Sequence, residues 1–411
     1  MASWQEEIDR AVDAHAAAMI AMRRHLHAHP EASGEELQTT LYIEHRLEEA
    51  GFTTQLAPSR RGLVAEVPLS GDDVDVPRIA LRADIDALRI QDIKDVDYRS
   101  QEPEVMHACG HDGHTAVVFG ALLGLHAARQ AGALPWPVNF RGIFQPAEET
   151  GAGALEMIEA GALADVQAVL AAHLDPARPV GHIGVRYGTL TAACDAIDIQ
   201  IYGRGGHAAR PHESLDPIAA AAQLISSIYL FIPRATDSQD PVVITIGQIT
   251  AGHNPNVIPE CAHLRGTLRT LGGEIRERTK RHIEQLARGI AEASGTEIEV
   301  RFEIGPASVR NDGHLSDLLG AAGADLLGFE QVEIIERTSM GGEDFSFYLN
   351  HIPGAMFRLG SAPPTSDAPG ANTALHAPDF DIDERALAIG AKVLARAAVL
   401  WSKPADNNPV N

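Results

Sequence analysis

The sequence is short of cysteine, of basic residues and of long apolar runs, and each shortage excludes something. Only three cysteines occur, Cys109, Cys194 and Cys261. An odd number at wide spacing implies no disulfide framework and fits a reducing compartment. Lys and Arg total 33 against 56 Asp and Glu, a formal net charge of −23. Such a chain repels phosphate, so nucleic acid and anionic membranes are not expected partners. No stretch approaches 18 clean apolar residues, so no membrane-spanning helix is expected. The N-terminal segment carries acids early and has no uninterrupted apolar core, so it does not read as a secretory signal. A cytoplasmic location is the expectation. Several catalytic signatures are also missing: H-E-x-x-H, G-x-S-x-G, the Walker A loop and the P-C-x-x-C of deaminases.

What is present is a chain of 411 residues, 45% of them apolar, enough for a packed core and too long for one ordinary core. Helical periodicity predicts helices over 4–28 (broken at Pro30), around 35–50, 115–132 and 153–161. Apolar runs predict strands over 78–84, 137–145 and 168–173. Strands separated by helices make an open, largely parallel sheet. Near 191 the pattern changes to period-two alternation, as in "AIDIQIYG" (196–203). A helix (215–230), strands 242–250 and 262–271, a helix (274–294) and a strand (297–304) follow. That order, β-α-β-β-α-β, is the split ferredoxin-like pattern. Beyond 305 the first character returns, with a helix over 314–327, strands "QVEIIE" and "AMFRLG", and a last helix near 384–401. The expected fold is therefore α/β, a catalytic domain (1–190 and 305–411) interrupted by an inserted ferredoxin-like α+β domain (191–304). The stretch 361–372 reads as a loop, and the tail after 401 as frayed.

In open α/β sheets ligands bind beyond the carboxyl ends of the strands. Strand 78–84 leads to Asp84 and Asp86, strand 137–145 to Glu148 and Glu149, and strand 168–173 ends on His173. Next to them stands "MHACGHDGHTA" (106–116). On an extended chain, Cys109 and His111, two apart, face the same way. A thiolate and an imidazole together suit Zn²⁺ or a similar first-row ion. Asp112 and His114 read as supporting partners or helix caps. A thiolate–imidazolium nucleophile built from Cys109 and a neighbouring histidine is the rival reading. Glu148 and Glu149, being adjacent, cannot face one point, so one can bind metal while the other activates water; a solvated acidic turn is the plain alternative. His376, Glu343 and Asp344 fall in loops. His207, Arg210 and His212 follow a glycine-rich turn that lacks dinucleotide-binding spacing.

The motifs "RRHLHAHPE", "RADIDAL", "MHACGHDGHTA", "QPAEE", "GRGGHAARPH", "NVIPE", "GTLRT", "MGGEDFSF" and "LHAPDFDIDERAL" occur in this order. Together they resemble the amidohydrolase branch of the dinuclear metallopeptidases, which contains aminoacylases, hippurate hydrolases and auxin–amino acid conjugate hydrolases. The resemblance covers nearly the whole chain. It implies a catalytic α/β domain with an inserted lid that commonly dimerises, and two divalent ions, zinc or manganese. The ligands it implies are Cys109, His111, Glu149, His173 and His376. It makes Glu148 the general base, Asp86 the residue that orients a ligand, and His207 a lid histidine that in relatives reaches across the dimer to the reacting carbonyl. Asn256 and Arg269 match lid positions that contact substrate, Arg269 being a candidate for its carboxylate. Two departures stand out: Arg89 follows Ala87-Leu88 where relatives read "DALP", and "GHNP", with His253 and Pro255, precedes the "NVIP" motif. His253 thereby becomes a further substrate-side candidate.

The implied activity is metal-dependent hydrolysis of an N-acyl or N-aroyl amino acid, in a homodimer acting on small molecules. Release of ammonia from an aromatic amine is the alternative that the altered segment keeps open, and a dipeptidase- or carboxypeptidase-like specificity is another. A metal-binding protein without activity would have no use for Glu148.

Overall fold

The structure is a computed structural model and describes residues 3–68, 76–363 and 373–404. Most of the loop expected over 361–372, and of the tail, lies outside these residues. The chain divides into two units, one of Met1–Gly188, Arg310–Glu336 and Phe347–Asn411, the other of Thr189–Val309 and Arg337–Ser346.

The first unit opens with a capping box. The Ser3 hydroxyl accepts from Glu6 N, and the Glu6 carboxylate accepts from Ser3 N. The helix expected over 4–28 is in fact two, α1 (Trp4–Ala14) and α2 (Ala16–Ala28). Between them the His15 ring nitrogen Nδ1 bonds the Ala11 carbonyl at 2.7 Å, and His15 N turns to Val12 O instead. A side chain that takes a backbone acceptor competes with the helix. Next come α3 (Leu37–Glu49) and two short strands that the sequence reading passed over, β1 (Thr53–Leu56) and β2 (Leu63–Glu66).

Then follow β3 (Arg78–Asp84), α4 (His111–Gln130), β4 (Asn139–Gln145) and β5 (Val166–Pro179). The eight-stranded sheet has the order β1, β2, β4, β3, β5, Gly354–Ala362, Ile183–Val185, Val332–Ile334. Its centre, from β4 to Gly354–Ala362, is parallel. Antiparallel pairs flank that centre, so the sheet is mixed. All of β4 and nearly all of β3 is buried, as expected of strands covered on both faces. Ile8, Val12, Met19 and Met22 of α1 and α2 join Val117, Leu122 and Leu125 of α4 in the core, together with Val393 and Leu394 of the helix Arg385–Trp401.

The second unit is a four-stranded antiparallel sheet ordered Val242–Ala251, Cys261–Thr270, Ala193–Tyr202, Glu297–Glu303. The helices Pro217–Ala235 and Gly273–Ser294 join the strands in the order β-α-β-β-α-β. Ile197, Ile199 and Ile201 point into its own core with Leu224, Ile228, Leu264 and Ile283. Asp216 caps the first helix, accepting from Ile218 N at 2.9 Å. That helix has the length and mean hydropathy (1.4) of a membrane span, against the sequence expectation. Its buried residues Ala220, Leu224, Ile228 and Ile232 recur at helical spacing and pack into the unit's core, which accounts for its apolar character. The segment Arg337–Ser346, read from sequence as part of the catalytic domain, lies with this unit. Ser339 N donates to Leu190 O and Ala192 N to Gly341 O, each at 3.0 Å.

Candidate metal centre

The parallel neighbours β4, β3 and β5 bring their carboxyl-terminal ends to one edge of the sheet. Asp84 and Asp86 leave β3 there, and Glu148 and Glu149 leave β4. His173 does not end its strand: β5 runs on to Pro179 because Gly354–Ala362 continues to pair with it, Gly360 opposite Asp175. The imidazole still faces this edge. Its Nδ1 bonds Leu174 O at 2.8 Å, and its Nε2 lies 3.8 Å from Cys109 Sγ.

The segment around Cys109 is not extended, as the sequence spacing had suggested. Gly110 adopts φ 87°, ψ 17°, a left-handed turn that glycine takes without steric cost, and α4 begins at His111. The turn brings Cys109 and His111 to one place with Glu149: ligand atoms of the three lie within 4.8 Å of one another. His111 Nδ1 faces Asp86, 2.9 Å from its carbonyl oxygen and 3.0 Å from Oδ1. Nδ1 therefore carries a proton, and Nε2 is the ring nitrogen left to face a ligand. That buried Nε2 has no hydrogen-bond partner, while Asp84 Oδ2, Glu148 Oε2 and Glu149 Oε1 stand 3.9 Å away. An unpartnered ring nitrogen among sulfur and carboxylate donors fits a divalent ion, which would displace any proton held there.

Asp86 ties the pieces together: it also accepts from Ser33 Oγ and, at 3.0 Å, from Glu149 N. His376 Nε2 lies 3.4 Å from Glu149 Oε1, and its backbone N donates to Ala108 O at 2.8 Å. Five non-glycine residues among those described have positive φ, and two are here, Ala147 (50°) and His376 (65°). Such strain persists only where surrounding contacts enforce it. The loop after β4 is also tight, since a Cβ on Gly153 would lie 1.5 Å from Pro146 O.

His114 is a supporting residue, both ring nitrogens being spent. Nδ1 bonds Asp84 Oδ1 at 2.6 Å, and Leu174 N donates to Nε2 at 2.9 Å. Asp112 caps nothing; it accepts from Arg23 Nε at 2.9 Å and bonds His27 Nδ1 at 2.8 Å, all buried. His107 is buried with neither nitrogen partnered, and burial pushes it down to about 4, so it stays neutral.

Burial pushes the Cys109 thiol well up, the Glu149 and Glu148 carboxylates adding to it against His111. A neutral thiol is a poor nucleophile, which weakens the rival reading of this cysteine. Burial and the Arg358 guanidinium hold His173 well below its usual value, in the neutral form that ligates. Burial opposes the charge on His111, but Asp84, Cys109 and Asp86 overcome it and raise the imidazole. Burial likewise opposes the charge on Asp84, yet His111, His114 and Arg82 hold it well below the carboxylate range.

Four further candidates sit in the second unit. His207 pairs with Val257, and Ala208 N donates to Asn256 O at 3.1 Å, so His207 and Asn256 are neighbours. Both line a cavity of about 540 Å³ with Gly206, Ile258 and Pro259. His253 is exposed nearby in the chain, and Arg269 donates to Met340 O at 2.8 Å. Glu343 Oε1 accepts from Phe345 N at 3.0 Å. Sequence reasoning missed Ser33 and Glu36, whose roles come from contacts distant in sequence. The only local sign was their place in the acidic segment "EASGEE".

Comparison with known proteins agrees with this architecture. Peptidase family M20/M25/M40 matches residues 80–399. An N-acetylcysteine deacetylase of Bacillus subtilis is 40% identical over 383 residues, 93% of this chain and 96% of that protein. The IAA-amino acid hydrolase ILR1-like 4 of Arabidopsis thaliana is 34% identical over 391 residues, 93% of this chain and 85% of its own. Among solved structures, the Bacillus subtilis YXEP protein, a dinuclear metal binding peptidase from the M20 family, is 37% identical, with a TM-score of 0.80 over 95% of this chain and 99% of that one. The chain thus belongs to peptidase family M20/M25/M40 and is a hydrolase of amide C–N bonds.

Proposed function

We propose that this protein hydrolyses the amide bond of an N-acyl or N-aroyl amino acid, or a related conjugate, with two divalent ions and Glu148 as general base. The observation that carries this reading is the convergence of Cys109, His111 and Glu149 within 4.8 Å, with the unpartnered His111 Nε2 turned among the carboxylates. Cys109, His111, Glu149, His173 and His376 would hold the ions, zinc or manganese. Such ions, when bound, lower the pKa of water toward neutrality and polarise a carbonyl. Asp86 fixes the His111 tautomer and anchors Glu149 through its backbone. Glu148 takes the proton of the attacking water. It then passes that proton to the amide nitrogen, so that the C–N bond breaks to a carboxylic acid and a free amine. His207 donates to the developing oxyanion. Asn256 and His253 contact the substrate, and Arg269 its carboxylate. The names of the deacetylase and of the IAA-amino acid hydrolase support this substrate class.

The test is a hydrolysis panel of N-acyl amino acids and aminoaromatics, using metal-stripped and zinc- or manganese-reloaded protein. Ammonia release without acylase activity would sink the reading. His207→Ala is expected to lower kcat by about 10²-fold at unchanged metal content; an unchanged kcat removes His207 from the reaction.

A homodimer and a cytoplasmic location belong to the same proposal. Val242–Ala251 is an edge strand with Val243 and Ile249 exposed, and Tyr229, Leu230 and Phe231 are exposed on the helix Pro217–Ala235. An edge strand and these exposed apolar side chains support self-association through the second unit. Light scattering is expected to give twice the mass of the chain; a monomer mass rejects the dimer.

A further inference from the structure

The segment "EASGEE" (31–36) looks in the sequence like a break between helices. In the structure it straps two loops of the candidate centre. Ala87 N donates to Glu31 O at 2.9 Å and Ser33 N to Ala87 O at 3.1 Å, which lays the strap along the chain beyond β3. From there the Ser33 hydroxyl reaches Asp86. Glu36 stands at the N-cap of α3, yet its side chain does not cap that helix. It is fully buried, and its Oε1 accepts from Gly34 N at 2.6 Å and from Ala147 N at 3.0 Å. Its Oε2 has no partner. Ala147 is the left-handed alanine, and Glu148 follows it.

We propose that Glu36 is a positioning residue for Glu148: by holding the Ala147 amide, its carboxylate fixes the left-handed turn from which Glu148 is presented. The proposal rests on the reading of Glu148 as the base. An alanine resists positive φ because its Cβ crowds the backbone. The conformation therefore needs an outside contact, and a buried carboxyl oxygen accepting from the backbone N–H supplies it. A buried carboxyl is costly, and this one is pushed up to about 7 by burial. A residue serving only to fill space here would bring no carboxyl to bury. The same strap holds Asp86, so the orienting carboxylate and the base-bearing loop are set from one short segment.

The experiment uses the full chain loaded with Zn²⁺ or Mn²⁺ and an N-acetyl amino acid as substrate. Glu36→Ala is expected to lower kcat by roughly 30-fold, with KM and metal content held within about threefold, as for a misplaced catalytic group. Glu36→Gln keeps an oxygen at the acceptor position and is expected to recover most of the rate. Ala147→Gly, in which the left-handed turn costs little, is expected to restore part of the rate lost in Glu36→Ala. Hydrogen exchange at the amides of 147–149 should quicken in Glu36→Ala and not in Glu36→Gln. Should the alanine variant fail to fold, Glu36→Asp withdraws the acceptor by one methylene, and the same split is expected. Wild-type kcat in Glu36→Ala or Glu36→Asp overturns the proposal. So does a loss of rate matched by an equal loss of metal, or a glutamine variant as damaged as the alanine one. If the wild type cleaves no amide in the panel, the function reading has failed by itself, and the exchange measurement still decides the clamp: quicker exchange supports it and unchanged exchange overturns it.

Discussion

Glu148→Gln is expected to lower kcat for amide hydrolysis by about a thousandfold while leaving the bound metal in place. Glutamine preserves shape and hydrogen-bonding reach but accepts no proton, and general acid–base catalysis by one positioned group is worth about 10²–10⁴-fold. The neighbour cannot take over. Glu149 has its backbone tied to Asp86, and its carboxylate sits beside His376 and within the Cys109–His111 cluster. The two glutamates therefore separate by experiment. Glu149→Gln should lose metal and activity together, whereas Glu148→Gln should lose only activity. Steady-state rates with metal analysis of the same samples check this. A Glu148→Gln protein that keeps both metal and full rate removes Glu148 from the base role.

The two glutamates also mark how far the sequence could be read. Their type and strand-end position were legible, because β3, β4 and β5 are buried apolar runs and the polar residues beyond them stand out. Their convergence was not: adjacent residues were expected to face apart, yet both carboxylates come within 3.9 Å of His111 Nε2. The turn that presents them runs through Ala147 at φ 50°, whose amide is held by Glu36, 111 residues earlier in the chain. In a chain with 56 acids, one more glutamate in a loop carries no local signal. The start of α4 was misplaced for a related reason: Gly110 turns the chain by a dihedral angle, and dihedrals leave no periodicity. The break at His15 was hidden because the apolar spacing runs through it, while one ring nitrogen takes the Ala11 carbonyl. The short strands β1 and β2 were passed over because four residues such as "TTQL" show no strong apolar pattern. Burial writes itself into sequence; side-chain capture of backbone groups does not.

Addition of zinc or manganese to the metal-free protein is expected to raise Tm, and Cys109→Ala is expected to abolish most of that rise. An ion that binds only the folded state stabilises it by RT ln(1 + [L]/Kd), about 2.7 kcal/mol at a hundredfold excess over Kd, or roughly 5 °C or more for a unit of this size. The physical source is visible at the centre. Asp84, Asp86, Glu148 and Glu149 gather around a buried histidine whose Nε2 has no partner. A divalent ion compensates the carboxylate charge and gives the unpartnered nitrogen a partner. Cys109 Sγ is near both His111 and His173, so its removal takes a donor shared by both sides of the cluster. Cys261→Ala is the matched control. That thiol is exposed and belongs to the second unit, so its loss should leave the rise intact. Calorimetry of the wild type and both variants, each apo and loaded, measures the difference. If Cys109→Ala retains the full rise, the stabilising ion sits elsewhere, and the buried thiol beside His111 is a core residue. If Cys261→Ala loses it, the effect was thiol scavenging, and the cluster at the end of β3, β4 and β5 has to be explained by its hydrogen bonds alone.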